Sequence, residues 1–177
     1  MFPPPFPDKR FMQLCWVVPD IQAAMASWTR SAGVGPFFFF ENVTFENGRY
    51  RGRPAQMAQH QAAIAQAGDL QIELVCQDNE DRGVFRDTHR RGEFGLHHMA
   101  LICDDYEAER DAYLEAGAEL AFEGRTGTSR TAWVDTSPTL GFMVELLEPS
   151  ATREAAFAGM RQAADTWDGT TRVIGGP

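Results

Sequence analysis

Two well-separated stretches of this chain carry the same pattern. Gln13-Leu-Cys-Trp-Val-Val-Pro-Asp20 and His98-Met-Ala-Leu-Ile-Cys-Asp-Asp105 are both apolar runs with a polar residue seven positions before an Asp that can cap a helix. The stretches that close each half also match: Gln71-Ile-Glu73-Leu-Val and Met143-Val-Glu145-Leu-Leu each set a lone Glu in an apolar run. A duplicated unit predicts two equivalent half-sheets that bury each other.

The order of elements within each half follows from local signals. In the first, an apolar strand over 11–18 leads into a helix with Ile21, Met25 and Trp28 at helical spacing, stopped by Gly33-Val34-Gly35-Pro36. Strands are expected over 37–43, 45–53 with the Asn47-Gly48 turn signal inside, 56–66 and 70–77. The second half repeats the order: strand 97–103, a helix from Tyr106 to Gly117, then strands 119–123, 131–135 and 142–148. From Ala151 to about Trp167 an amphipathic helix puts Phe157, Met160 and Ala164 on one side. The predicted fold is α+β: two βαβββ modules forming a cupped mixed β-sheet, with a C-terminal helix. The expected division is an extended arm (1–10), a first module (11–77), a charged linker (78–94), a second module (95–149), and a helix with tail (150–177).

Composition narrows the class of partner. Of 177 residues, 25 are acidic and 16 basic, a net charge of −9 that opposes attraction to nucleic acid or anionic lipid. No apolar run approaches the ~20 residues of a membrane span, and the N-terminus has no signal-peptide pattern. Cys15, Cys76 and Cys103 are odd in number, far apart and set in apolar segments, so they read as core residues in a reducing, cytoplasmic setting.

A carboxylate inside an apolar strand costs several kcal/mol unless something pairs with it. Glu73 and Glu145 therefore call for a partner. If both face inward beside Gln13 and His98, the interior gathers two carboxylates, an amide oxygen and an imidazole nitrogen, a donor set for one divalent cation (Zn, Ni, Co, Mn, Mg or Fe). His97 adjoins His98, and on a regular strand only one of them can face the cup; the register matching Gln13 selects His98.

With these residues in hand, the sequence resembles the vicinal oxygen chelate superfamily, which includes glyoxalase I, methylmalonyl-CoA epimerase, extradiol dioxygenases and bleomycin-resistance proteins. The resemblance runs from about Phe11 to Glu148 and is carried by 13–20, by Gly95-Leu-His-His-Met-Ala-Leu-Ile-Cys-Asp-Asp105 and by Gly141-Phe-Met-Val-Glu145-Leu. It implies metal ligands from the first and last strands of both modules, matching Gln13, Glu73, His98 and Glu145. That combination is similar to the glyoxalase I group, whereas Gly-Leu-His-His looks more like the epimerase branch. The resemblance further implies a homodimer.

The implied chemistry is proton transfer α to a carbonyl, with Glu145 or Glu73 as base, in an isomerase, epimerase or lyase. A lactoylglutathione lyase and a sequestering protein without turnover are the alternatives. For the small-molecule substrate, Arg49 and Arg51 (with Arg53 on alternate positions) and Arg125 suit an anionic group, Phe38 in the Phe37–Phe40 run suits an aromatic one, and His60 is a candidate contact. Solvated edge-strand charge and core packing are the plainer readings of the arginines and aromatics, and a satisfied core residue that of His60. The segment 81–91, with interleaved charges, is expected to be a solvated helix or linker away from the active site.

Overall fold

The computed structural model describes residues 10–171 and 173–175, so most of the expected N-terminal arm lies outside the described residues. The first half contains β1 (Gln13–Val17), α1 (Ile21–Ala32), β2 (Phe37–Phe40), β3 (Glu46–Tyr50), β4 (Arg53–Pro54), β5 (Gln61–Ala67) and β6 (Leu70–Cys76). After α2 (Val84–Thr88) the second half contains β7 (Gly95–Ile102), α3 (Tyr106–Glu115), β8 (Glu119–Thr126), β9 (Ser129–Asp135), α4 (Ser137–Leu140) and β10 (Met143–Leu147). The chain ends with α5 (Ala151–Asp165) and β11 (Val173–Gly175).

These strands form one mixed sheet in the order β11-β2-β5-β6-β1-β7-β10-β9-β8-β3-β4. At its centre β1 and β7, the first strands of the two halves, run antiparallel, and each pairs in parallel with the last strand of its own half, β6 or β10. The duplication is thus visible as a pseudo-twofold through the β1–β7 seam. The fold is the α+β architecture the repeat predicts, with one departure: the β3–β4 hairpin leaves the first half and pairs through β3 with β8 of the second.

Local chemistry places the helices as expected. The Asp20 and Asp105 carboxylates accept from the backbone N–H groups of Ala23 and Ala108 at 2.9 and 3.0 Å, capping α1 and α3. Each helix covers the outer face of its half: Ile21 and Met25 pack on Ile72 and Leu74, and Tyr106 on Leu101, Val134 and Val144. The inner face holds a third core in which Cys15, Val17 and Met143 meet Phe122, Trp133, Val84 and Phe85.

Two expectations from the sequence are corrected. Asn47-Gly48 is not the hairpin turn: β3 continues through it, with Asn47 at φ 53° and a register shift against β8 between Glu46 and Arg49, and the turn falls on Arg51-Gly52. The charged 78–94 segment is not wholly solvated, because α2 buries Val84 and Phe85 in the inner core. Among the described residues no helix is long and apolar enough to cross a membrane.

Candidate metal centre

The strand registers set the inner face in two rows. In one, Gln71, Gln13, Ala100, Glu145 and Trp133 lie side by side across β6, β1, β7, β10 and β9; in the next, Glu73, Cys15, His98 and Met143 do so. Alternation puts both rows on the concave side. Ala100, the smallest side chain of its row, stands between Gln13 and Glu145.

The polar groups converge on one atom. His98 Nε2 lies 3.1 Å from Glu73 Oε2 and 3.0 Å from Glu145 Oε2. His98 is 1% exposed and Glu145 6%, while the Glu73 side chain keeps 14% exposure toward the cup interior. Cys15 Sγ adds a fourth group, its sulfur, the Glu73 carboxylate and the His98 imidazole all within 4.8 Å of one another. Gln13 is buried beside them and donates from Nε2 to Gln71 Oε1 at 3.1 Å, which leaves its own carbonyl oxygen available. Gln71 in turn touches Met160 of α5, so the C-terminal helix roofs this end of the cup.

Electrostatics follow from burial and crowding. Burial alone would lower the proton affinity of His98, but the Glu145 carboxylate 3.0 Å from its Nε2 overrules it and raises its pKa above 6.5. Burial raises the Glu145 carboxyl against the opposing pull of His98, so the pair holds one proton tightly between them. The Cys15 thiol is pushed up by burial and then by Glu73, which keeps it neutral.

These donors fit a divalent cation. Ligand atoms set cis about an ion with bonds of about 2.1 Å stand about 3 Å apart, the separation His98 Nε2 shows to each carboxylate. A single N–H cannot donate linearly to two carboxylates, whereas a cation would neutralise both.

The remaining candidates are placed differently. Phe38 pairs with Ile64, which pairs with Glu73, so it shares the inner face. His60 is a satisfied core histidine: its Nδ1 bonds Ala58 O at 2.8 Å, its ring stacks on Phe85, and burial lowers its pKa. Arg49, Arg51 and Arg53 do not line one strand face, because the chain turns at Arg51. The Arg51 guanidinium is engaged by Asp87, Glu119 and Asp135 at 2.7–2.9 Å. Arg49 and Arg125 alternate with the inward Phe122 and Gly124 register and lie on the outer side, bonded to the carbonyls of Gly52 and Thr128.

Sequence reasoning missed Cys15, His97, Trp133 and Arg153. Cys15 was legible from its i, i+2 spacing to Gln13. Arg153, largely buried near Glu145, donates to Thr131 Oγ1 at 2.9 Å and to the Glu148 carbonyl from the start of α5. It borders a cavity of about 240 Å³ lined also by Phe40, Ile64, Phe157 and Met160.

Comparison with known proteins places the chain in a family and a fold. The pattern of the glyoxalase/bleomycin resistance protein/dioxygenase superfamily matches residues 12–133. The chain belongs to this superfamily. Solved structures similar to this superfamily member include a hypothetical protein from Bacillus halodurans C-125 (TM-score 0.57, 16% identity, 81% of this chain and 96% of that one). Methylmalonyl-CoA epimerase from Mycobacterium tuberculosis follows at 0.55 and 18%, over 82% and 91%. A Streptomyces coelicolor methylmalonyl-CoA epimerase in complex with 2-nitronate-propionyl-CoA gives 0.54 and 18%, over 80% and 98%. At these identities the likeness establishes the shared superfamily fold. No curated protein matches the chain.

Proposed function

We propose that this superfamily member is a divalent-metal-dependent epimerase or isomerase that moves a proton on the carbon next to a carbonyl. One observation carries the reading: two strand carboxylates from opposite halves of the sheet meet at a single buried imidazole nitrogen, Glu73 at 3.1 Å and Glu145 at 3.0 Å from His98. Gln13, Glu73, His98 and Glu145 would hold the ion. When bound, it supplies Lewis-acid stabilisation of the negative charge that develops on a substrate carbonyl oxygen.

The chain's own residues do the rest. Glu145 is the base we assign, since burial raises its proton affinity toward the range useful for taking and returning a carbon-bound proton. Glu73 sits across His98 as the pseudo-symmetric second acid. Met160 and Arg153 of α5 border a cavity that includes Ile64, the strand partner of Glu73, and this cavity, apolar apart from Arg153 and several hydroxyls, suits a substrate with an apolar body and an anionic group. The acyl-CoA analogue in the Streptomyces coelicolor epimerase is compatible with such a substrate.

The test is α-proton exchange in D2O on a panel of acyl thioesters and aryl-substituted acids, with metal analysis of the protein alongside. Glu145→Gln is expected to lower exchange at least ~100-fold with metal still bound. The apolar cavity also supports a second reading, a sequestering protein. Tight binding of an apolar ligand by metal-free wild type, with no exchange on any panel member, would establish that reading instead. Turnover of a glutathione hemithioacetal in the same assays would assign the lactoylglutathione lyase activity.

A further inference from the structure

His97 and His98 are neighbours on one strand, yet their rings meet edge to face with Nδ1 atoms 2.8 Å apart. The cause is a β-bulge. Across the β1–β7 seam Cys15 pairs with His98 but Trp16 pairs with Leu96, leaving His97 as the extra residue. A bulge aims two consecutive side chains to the same side. Both histidines are buried, at 0% and 1% exposure.

The far end of His97 is also occupied. Its Nε2 lies 3.0 Å from the carbonyl oxygen of Val84, the first residue of α2. A carbonyl can only accept, so His97 Nε2 carries a proton. A neutral His97 then presents a lone pair at Nδ1, and the group facing it, His98 Nδ1, must be the donor. With Nδ1–H given to His97, Nε2 is the nitrogen that faces Glu73 and Glu145, and the proton it shares with Glu145 in the metal-free protein is the one a cation would displace.

We propose that His97 is a positioning residue: held by the Val84 carbonyl, it accepts from His98 Nδ1–H and so keeps His98 Nε2 open as the ligand of a divalent cation. This rests on reading the cluster as a metal centre. An acceptor on the far nitrogen of a ligating histidine fixes its ring orientation and tautomer. It also assigns a role to α2, which anchors the acceptor from inside the cup.

Trp133 supplies the rival. Its Nε1–H lies 3.3 Å from the same His98 Nδ1. If Trp133 were the donor, His98 Nδ1 would carry the lone pair and Nε2 the proton, closing the nitrogen to metal. His97 Nδ1 would then face it lone pair to lone pair at 2.8 Å, whereas acceptance by His97 sets the N–H groups of Trp133 and His98 against each other only at 3.3 Å. The shorter contact favours His97.

Two measurements test the proposal. In protein labelled with 15N-histidine, a cross-hydrogen-bond 15N–15N coupling is expected between a protonated His98 Nδ1 and an unprotonated His97 Nδ1. A protonated His97 Nδ1, or an unprotonated His98 Nδ1, overturns it. By calorimetry on metal-stripped protein, His97→Phe should weaken Zn²⁺ binding ~10–100-fold. His97→Asn, which keeps an acceptor near the Nδ1 position, should recover most of it, and Trp133→Phe should stay within about twofold of wild type. The proposal fails if Trp133→Phe weakens Zn²⁺ binding while His97→Phe does not, or if Asn is no better than Phe. Should His97→Phe fail to fold, the coupling and the Asn variant still decide. A wild type that binds no Zn²⁺ refutes the metal centre itself, a result separate from the coupling.

Discussion

Cys15 poses the sharpest test of which side chains at the candidate metal centre would hold an ion. Its sulfur is within 4.8 Å of Glu73 and His98, close enough to be drawn in as a ligand. In the metal-free protein burial and the Glu73 charge favour the thiol, whereas a coordinated cation would favour the thiolate. Because Gln13, Glu73, His98 and Glu145 already offer four oxygen and nitrogen donors, cobalt-loaded protein is expected to lack the near-ultraviolet thiolate charge-transfer band, and Cys15→Ser to bind Zn²⁺ within about twofold of wild type. A strong band that vanishes in the Ser variant would make Cys15 a ligand. At this scale the sequence was legible where alternation is regular, as for Gln13, Glu73, His98 and Glu145. It was not legible for His97, because a bulge depends on pairing with another strand and leaves no local mark.

Elements repeat that lesson. Asn-Gly is a strong hairpin signal because Asn tolerates positive φ, but a bulge needs the same conformation, and pairing with β8 decides between the two uses. Gly48 is required for a further reason: a Cβ there would stand 2.3 Å from the Ala55 carbonyl oxygen and 3.0 Å from Phe122. Gly48→Ala is expected to destabilise the protein by about 1–3 kcal/mol in urea unfolding, through overpacking between the β3–β4 hairpin and the inner core. The C-terminal helix offers a matching functional test. Arg153 ties the start of α5 to Thr131 and the Glu148 carbonyl, so Arg153→Met should cost about 1–3 kcal/mol and loosen the roof over the cavity. A rise in KM for anionic substrates larger than the fall in kcat would match its place beside the cavity; unchanged kinetics would confine it to stability. Amphipathic spacing announced α5, but that it lies over the cup follows only from the completed sheet.

At the scale of the whole molecule, charge networks close the fold across long sequence separations, and their titration sets how it fails in acid. Arg130 joins β9 to Glu107 of α3 and to Glu148 beyond β10 at 2.5 Å each, and Arg51 joins the β3–β4 turn to Asp87, Glu119 and Asp135. The bond to Arg130 holds the Glu148 carboxyl below the ordinary 4.5. Burial would raise Asp135, but Ser137 and then Arg51 carry it below 3.8. A carboxyl depressed in the folded state contributes stability above its unfolded pKa and loses it as pH falls through the folded value. His60, His89 and His97 act in the same direction at higher pH. Burial lowers each below 6.5, so the unfolded chain takes up these protons first and stability drops as pH falls from about 6.5. Against these, the net charge of −9 shrinks as carboxylates protonate, which relieves self-repulsion. That relief is spread over the surface, whereas the losses belong to named groups and are removable one at a time. Urea midpoints of the metal-free protein should therefore fall in two stages, between about pH 6.5 and 5 and again below about 4.5. His60→Asn should reduce the first stage and Glu148→Gln the second, each lowering stability at pH 7. A midpoint that rises steadily from pH 7 to 4 would show that relief of net charge outweighs both networks.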